Sequence, residues 1–328
     1  MFDRFRDPWS DQRAERVLGA LACTVLFVIA AMVVFVAVKA WPTLRHNHVL
    51  GWLGFGGEVD NQIADQVNGT PGPGGDLYKL DAGPLVYATV LTTAVAVVVG
   101  LVFALFSAVF IVEFAPPRVR RIVVPVVRLL AAVPSVIYGL IGILVMAPFF
   151  NNHVISDQRK RSVEYVVQLS GTSLAVATII LTVMITPIMI AIITDALYSV
   201  PKGWKEGAVA LGVNRWRAMW TVSIRAARPA IIAAVVLATA RALGEGIMLS
   251  MVSGSRGFSP NPLDGLTFLF EPLRPLAATI VENVDSLNAP AVRSTVYAFA
   301  LLLLFSSFVL SLGGYFAKQP MKKYGIRV

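Results

Sequence analysis

The chain has 328 residues, of which 56% are hydrophobic and only 14% charged, with a formal charge of +9 and a mean hydropathy of +0.72. A soluble domain carries about 25% charged residues, so this composition excludes one or two soluble domains, and its apolar richness excludes a disordered chain. One Cys and three His supply neither a disulfide nor a Cys/His metal cluster, so no metal site and no redox cofactor is expected.

What remains is an integral membrane protein. Crossing about 30 Å of hydrocarbon takes roughly 20 apolar residues in a helix. In chain order the apolar stretches are 17–38, 84–112, 122–150, 172–194, 229–252 and 295–317. The first exceeds the apolar core of about 7–15 residues in a secretory signal and is read as an uncleaved span. None alternates apolar and polar in ten-residue units, which excludes a β-barrel. The expectation is an all-α fold: a segment 1–16, a six-helix membrane domain 17–317, and a basic tail 318–328.

Six spans leave both ends of the domain on one side. Seventeen Lys and Arg residues fall in the segments on that side and nine in the segments on the other, with Arg128 and Arg241 inside spans. The positive-inside rule then predicts an N-in, C-in topology. The triplet Arg159-Lys160-Arg161 is the one dissenting outer cluster. Divided by side in this way, the positive charge orients the chain in a membrane and implies no nucleic-acid partner.

The outer loop 41–83 is acidic and Gly-rich, with a turn-rich middle at 68–75. Its apolar patch 50–55 suits the membrane interface, where Trp is enriched, or an external partner. The outer segment 253–291 holds five prolines and is expected to fold as short helices and turns over the outer mouth. The inner segment 199–228 is different. Pro201 suits a helix start, Gly212 a left-handed helix end, and Asn214 the cap of a following helix. This basic helix–Gly–helix reads either as an amphipathic anchor on anionic membrane lipid or as a docking element for a cytoplasmic protein.

In that segment Glu206-Gly207-Ala208, Gly212, Val222 and Ile224 resemble the EAA loop of ABC-importer permeases. The chain departs from that pattern with Gly207 in place of Ala, Val222 in place of Ile, Ile224 in place of Leu and Arg225 in place of Pro. Three further stretches resemble the phosphate-specific branch. They are Ala108-Val109-Phe110-Ile111-Val112-Glu113-Phe114-Ala115-Pro116, Val133-Pro134-Ser135-Val136-Ile137-Tyr138-Gly139, and Ala240-Arg241-Ala242-Leu243-Gly244-Glu245. The last reads R-A-L-G-E rather than R-A-A-G-E, which is similar to the C-type (PstC) permeases; Gly246-Ile247-Met248 follows where that family commonly has Thr-Met-Ala.

The resemblance, which spans about 17–317, implies a type I ABC-importer permease fold of the MetI-like kind. It implies partners: a related second permease (PstA type), an ATPase dimer (PstB type) and an external phosphate-binding protein (PstS type). It implies a chain that is not an enzyme and holds no cofactor, ATP and Mg being bound by the partner ATPase. The absence of a G-x-x-x-x-G-K-[ST] phosphate loop from the sequence agrees. Glu206, Gly207, Ala208 and Gly212 are then the residues expected to couple to the ATPase, with the fourth and fifth spans transmitting the movement.

Charges inside spans mark pathways or pairs. Arg241 and Glu245 are four residues apart and, in a continuous helix, project from one face. Two readings stand: a structural pair locking helix packing, or a guanidinium that meets phosphate while Glu245 holds it in place. Arg128 is read either as snorkelling to the inner interface or as part of the pathway. Ser135 and Tyr138 are expected to line the path, while Pro134 and Gly139 kink and pack the third span. Rival readings are a stand-alone secondary anion carrier, a membrane enzyme, and the same permease fold serving sulfate or molybdate.

Overall fold

The computed structural model describes residues 8–48, 51–55, 58–71 and 75–319. Residues 1–7 of the segment 1–16 and most of the tail 318–328, together with Leu50 of the apolar patch and the middle of the 68–75 turn, lie outside the described residues. In chain order the helices are α1 (Pro8–Asn47), α2 (Val59–Asn68) and α3 (Gly83–Phe114). Then come α4 (Pro117–Ala131), α5 (Ser135–Val154), α6 (Asp157–Val163) and α7 (Leu174–Tyr198). Last are α8 (Lys202–Ala210), α9 (Arg215–Leu243), α10 (Ile247–Val252), α11 (Leu276–Glu282) and α12 (Pro290–Lys318). Six of them, α1, α3, α5, α7, α9 and α12, are long and apolar enough to cross a membrane. The side carrying the basic segments between α3 and α5 and between α7 and α9 is the inner side by charge.

The core forms where α7 runs between α3 and α9. Leu181, Met184, Ile185 and Met189 of α7 are fully buried against Ala96, Ala104 and Ala108 of α3 and Ala234 and Ala238 of α9. Small residues let these backbones approach, and dispersion rather than the hydrophobic effect then holds the helices together in lipid. A second core ties α1 to α12 near the outer side. Trp52 stacks on Phe299 at 5.8 Å between ring centroids, and buried Thr43 and Ser294 share a hydrogen bond of 2.7 Å between their hydroxyl oxygens. The patch 50–55 is therefore split: Trp52 is core, whereas Leu53 and Phe55 are exposed.

Two expected spans are redrawn. The stretch 122–150 is not one helix. Pro134 has no N–H and disfavours helical geometry at Val133, so α4 stops at Ala131 and α5 begins at Ser135. No residue of α4 is buried, and Arg128 near its end reaches Asp195 near the inner end of α7, 3.0 Å away. Helix α4 thus lies along the inner side, and Arg128 is a surface residue rather than a charge within a span. The span proper is α5, which runs on to Val154.

The fifth span likewise starts earlier and ends earlier than 229–252. Helix α9 begins at Arg215, continues through Pro229 and stops at Leu243. Membrane bundles tolerate such an internal proline because neighbouring helices and local turn adjustments satisfy the freed backbone groups; here a π turn, Met219–Ser223, lies upstream. Beyond Gly244-Glu245-Gly246 the chain resumes as the short α10.

Gly139 and Gly142 of α5 pack directly on α10. A Cβ built on Gly142 would lie 2.4 Å from Val252 Cγ1, and one on Gly139 would lie 2.8 Å from Met251 Sδ. Gly142→Val is expected to destabilise the protein by about 1–3 kcal/mol, the usual cost of overpacking, read as a lowered midpoint in thermal unfolding of the purified complex.

The outer segment 253–291 forms a 3-10 stretch at Pro262–Phe270 followed by α11. Arg274 binds it to α2, lying 2.8 Å from Asp60 and 3.0 Å from Glu282. Burial raises the Glu282 carboxyl above its ordinary value against the lowering pull of Ser255 and Arg274, and burial does the same to Glu271. Two members of the dissenting basic triplet find partners. On α6, Lys160 donates to the Asn151 carbonyl at 2.7 Å, and the Arg159 guanidinium lies 5.2 Å over the Phe270 ring.

Candidate functional site

The inner segment folds as its capping residues require. Helix α8 ends in a Schellman turn: Gly212, at φ 83°, donates to the Val209 carbonyl at 2.9 Å, and Val213 donates to Ala208 at 3.2 Å. A left-handed residue there without a Cβ avoids the clash that other residues meet. Asn214 then accepts from the Arg217 N–H at 2.7 Å and caps α9. Glu206, Gly207 and Gly212 are exposed and Ala208 is half-buried. A Cβ on Gly203 or Gly207 would meet nothing within 4 Å, and Leu211 is 86% exposed. One face of α8 is therefore open, small-residued and flanked by apolar side chains.

From its other side Lys205 reaches the inner end of α3. That end is a π turn, Phe110–Phe114, whose Ala115 N–H donates to the Phe110 carbonyl at 2.8 Å. Arg120 of α4 donates to the carbonyls of Ile111 at 3.0 Å and Val112 at 2.8 Å, and its guanidinium sits 5.4 Å over the Tyr198 ring. Glu113, in the same turn, forms an ion pair with Lys205 of α8. Two aromatic contacts continue the seam: Phe114 with Trp216 and Phe106 with Trp220, each at 6.2 Å between centroids. A cleft of about 670 Å³ lies between these elements, bordered by Glu113, Arg120, Tyr198, Lys205 and Glu206.

Sequence reasoning missed Glu113, Lys205, Arg120 and Asp195 as partners. One signal was present, since Glu113 is a lone carboxylate in the apolar run closed by Pro116-Pro117, and isolated charges at a membrane boundary seek a partner. Its partner lies 92 residues away in the chain, beyond the reach of any local pattern.

The second group lies where α9 ends. Arg241 is exposed and, among the described residues, has no ion pair. Tyr138 of α5 is buried and donates to the Leu130 carbonyl at 3.1 Å, and Ser135 is half-buried one turn earlier. The expected Arg241–Glu245 pair is not formed. It required a helix continuing through residue 245, whereas α9 stops at Leu243. Glu245 is instead buried to 9% exposure and accepts from the Met248 N–H at 3.4 Å at the start of α10. A helix start offers unpaired N–H donors to a carboxylate.

A guanidinium without a counter-ion on a membrane-spanning helix is stable only against water, an anion or another protein surface, since lipid makes it costly. Together with the exposed face of α8, this defines an integral membrane permease that works within a larger assembly. The family described as binding-protein-dependent transport system inner membrane component matches residues 96–319, and the chain belongs to it.

Among relatives, the probable phosphate transport system permease protein PstC of Methanocaldococcus jannaschii is 30% identical, over 80% of this chain and 82% of that protein. The phosphate transport system permease protein PstC 2 of Mycobacterium bovis is 32% identical over 74% of each. The probable ABC transporter permease protein YqgH of Bacillus subtilis is 29% identical over 92% of this chain and 88% of that one. Two solved structures share the fold. A chain of the MetNI methionine ABC transporter aligns with a TM-score of 0.53 and 18% identity, covering 72% of this chain and 94% of its own. A chain of a bacterial alginate ABC transporter aligns with a TM-score of 0.55 and 12% identity, covering 96% and 98%. The protein is thus a multi-pass inner-membrane ABC-importer permease of the MetI-like fold. It is non-catalytic, and its family works with an ATPase and a substrate-binding protein.

Proposed function

We propose that the chain is the C-type permease subunit of a phosphate importer, moving inorganic phosphate inward by alternating access. The observation that carries this reading is the exposed Arg241 guanidinium at the broken end of α9, which has no ion pair among the described residues. A guanidinium offers a planar fork of donors matched to phosphate oxygens and stays charged at any physiological pH. The PstC relatives point to the same anion. Glu245, turned away onto α10, leaves Arg241 free for the anion. Ser135 and Tyr138 line the path beside it. Arg128, paired with Asp195 on the inner side, stands outside the pathway in this reading.

The assembly comprises this chain, a PstA-type permease, a PstB-type ATPase pair and a PstS-type binding protein on the outer side. ATP and Mg belong to the ATPase, and this chain needs no cofactor of its own. Glu206, Gly207, Ala208 and Gly212 present α8 to the ATPase. Because α9 is continuous from Arg215 to Leu243, displacement at the coupling segment reaches Arg241 along one rigid element, and the ATP state biases the permease between its two facings. The test is phosphate uptake into vesicles holding the four-component complex. Uptake that requires ATP and is not competed by sulfate or molybdate is the expected result. Uptake that persists without the ATPase would overturn the reading.

A further inference from the structure

Helix α8 packs on its sequence neighbour α9, and one side-chain contact also ties it to the inner end of α3. Glu113 has a side chain only 4% exposed, and Lys205 one that is 29% exposed. A carboxylate so placed demands a partner, because an unpaired buried charge is strongly destabilising. The ring contacts nearby, Phe114 with Trp216 and Phe106 with Trp220, join α3 to α9 rather than to α8, and being apolar they tolerate sliding. A buried ion pair does not, and registry is its best-attested use.

The geometry of both elements suits a transmission role. Lys205 and Glu206 are consecutive, so they leave α8 about 100° apart: Lys205 turns to α3, whereas Glu206 is exposed at the rim of the cleft. A push on the outer face of α8 therefore acts on Glu113 through a single helical turn. On the other side, Glu113 sits in a π turn, which takes in more residues than an α turn and commonly marks a functional site. Arg120 satisfies two carbonyls of that turn from outside the helix, so the turn can shift without leaving them bare.

We propose that the Glu113–Lys205 ion pair is the latch that passes movement of α8 into α3, making both residues positioning residues for coupling ATP hydrolysis to transport. This rests on the reading of the chain as an ATP-driven phosphate permease. Neither residue touches substrate or nucleotide. Breaking the latch leaves the ATPase docked and turning over but separates its cycle from the pore.

The test uses the complete four-component complex in vesicles, with inorganic phosphate as the probe, and compares phosphate moved with ATP hydrolysed. Glu113→Gln and Lys205→Met are each expected to lower phosphate uptake about tenfold, a shift within the range of coupling changes along a contact network. ATP hydrolysis and co-purification of the ATPase stay close to the unsubstituted level. The exchange of both residues, Glu113→Lys with Lys205→Glu, is expected to restore most of the ratio. An unchanged ratio in both single variants overturns the latch. So does a joint loss of assembly, hydrolysis and uptake that the exchange does not repair, since the pair is then purely structural. If the unsubstituted complex shows no ATP-driven phosphate uptake, it is the functional reading that fails, whatever the variants do.

Discussion

Arg241→Gln is expected to abolish phosphate uptake while the complex still assembles. The side chain is exposed at the end of α9 and holds no ion pair among the described residues, so its removal leaves no buried carboxylate behind. Glu245, once expected to depend on it, is satisfied separately by the N–H of Met248. What is lost is the charged fork. Hydrogen bonds to charged groups are worth about 1.5–3 kcal/mol each, so loss of a two-pronged contact lowers uptake by at least about 100-fold. Arg241→Lys keeps the charge but not the fork and retains only part of the activity. Uptake by vesicles and co-purification of the partner chains measure the two effects separately. A variant that fails to assemble would make Arg241 a packing residue.

Glu206→Arg is the second large effect, acting at the opposite end of the same lever. Glu206 lies on the open face of α8, where it is exposed and has no ion pair among the described residues. Reversing its charge perturbs the folded permease little but places a cation where a docking partner meets a carboxylate. Like-charge juxtaposition at an interface costs several kcal/mol, so the ATPase is expected to dissociate or to lose its stimulation by the permease at least about tenfold. Gly207→Ala is the control. A Cβ there has open space, and alanine favours the helix by about 0.5–1 kcal/mol, so docking and stability hold or improve. Normal stimulated hydrolysis and transport in Glu206→Arg would show that α8 does not face the ATPase.

Some features were legible because they are local. Gly212 and Asn214 mark the end of one helix and the start of the next by backbone chemistry that spans four residues, and both act as their residue types require. Other features misled because a local rule met a competing one. The fifth apolar stretch was drawn from 229, yet α9 passes through Pro229, while Pro134 suggested a kink and instead divides one expected span into α4 and α5. The difference is position. Pro134 follows Val133 at a point where α4 has reached the end of the inner side, whereas Pro229 lies in a helix held on both sides by α7 and α12. The Arg241–Glu245 spacing was read correctly as a number and wrongly as a pair, because the Gly244-Glu245-Gly246 break lies between the two helices.

Hydropathy and charge by themselves determined that six helices cross a membrane and which side is basic, since burying backbone in hydrocarbon demands long apolar runs whatever the packing. The caps around the coupling segment were determined in the same way. Only the tertiary structure decided that Arg128 pairs with Asp195, that Arg241 has no carboxylate partner among the described residues, and that α8 is tied to α3 through Glu113 and Lys205. Each of these depends on which distant side chain fills a given space, and no local spacing along the chain encodes that.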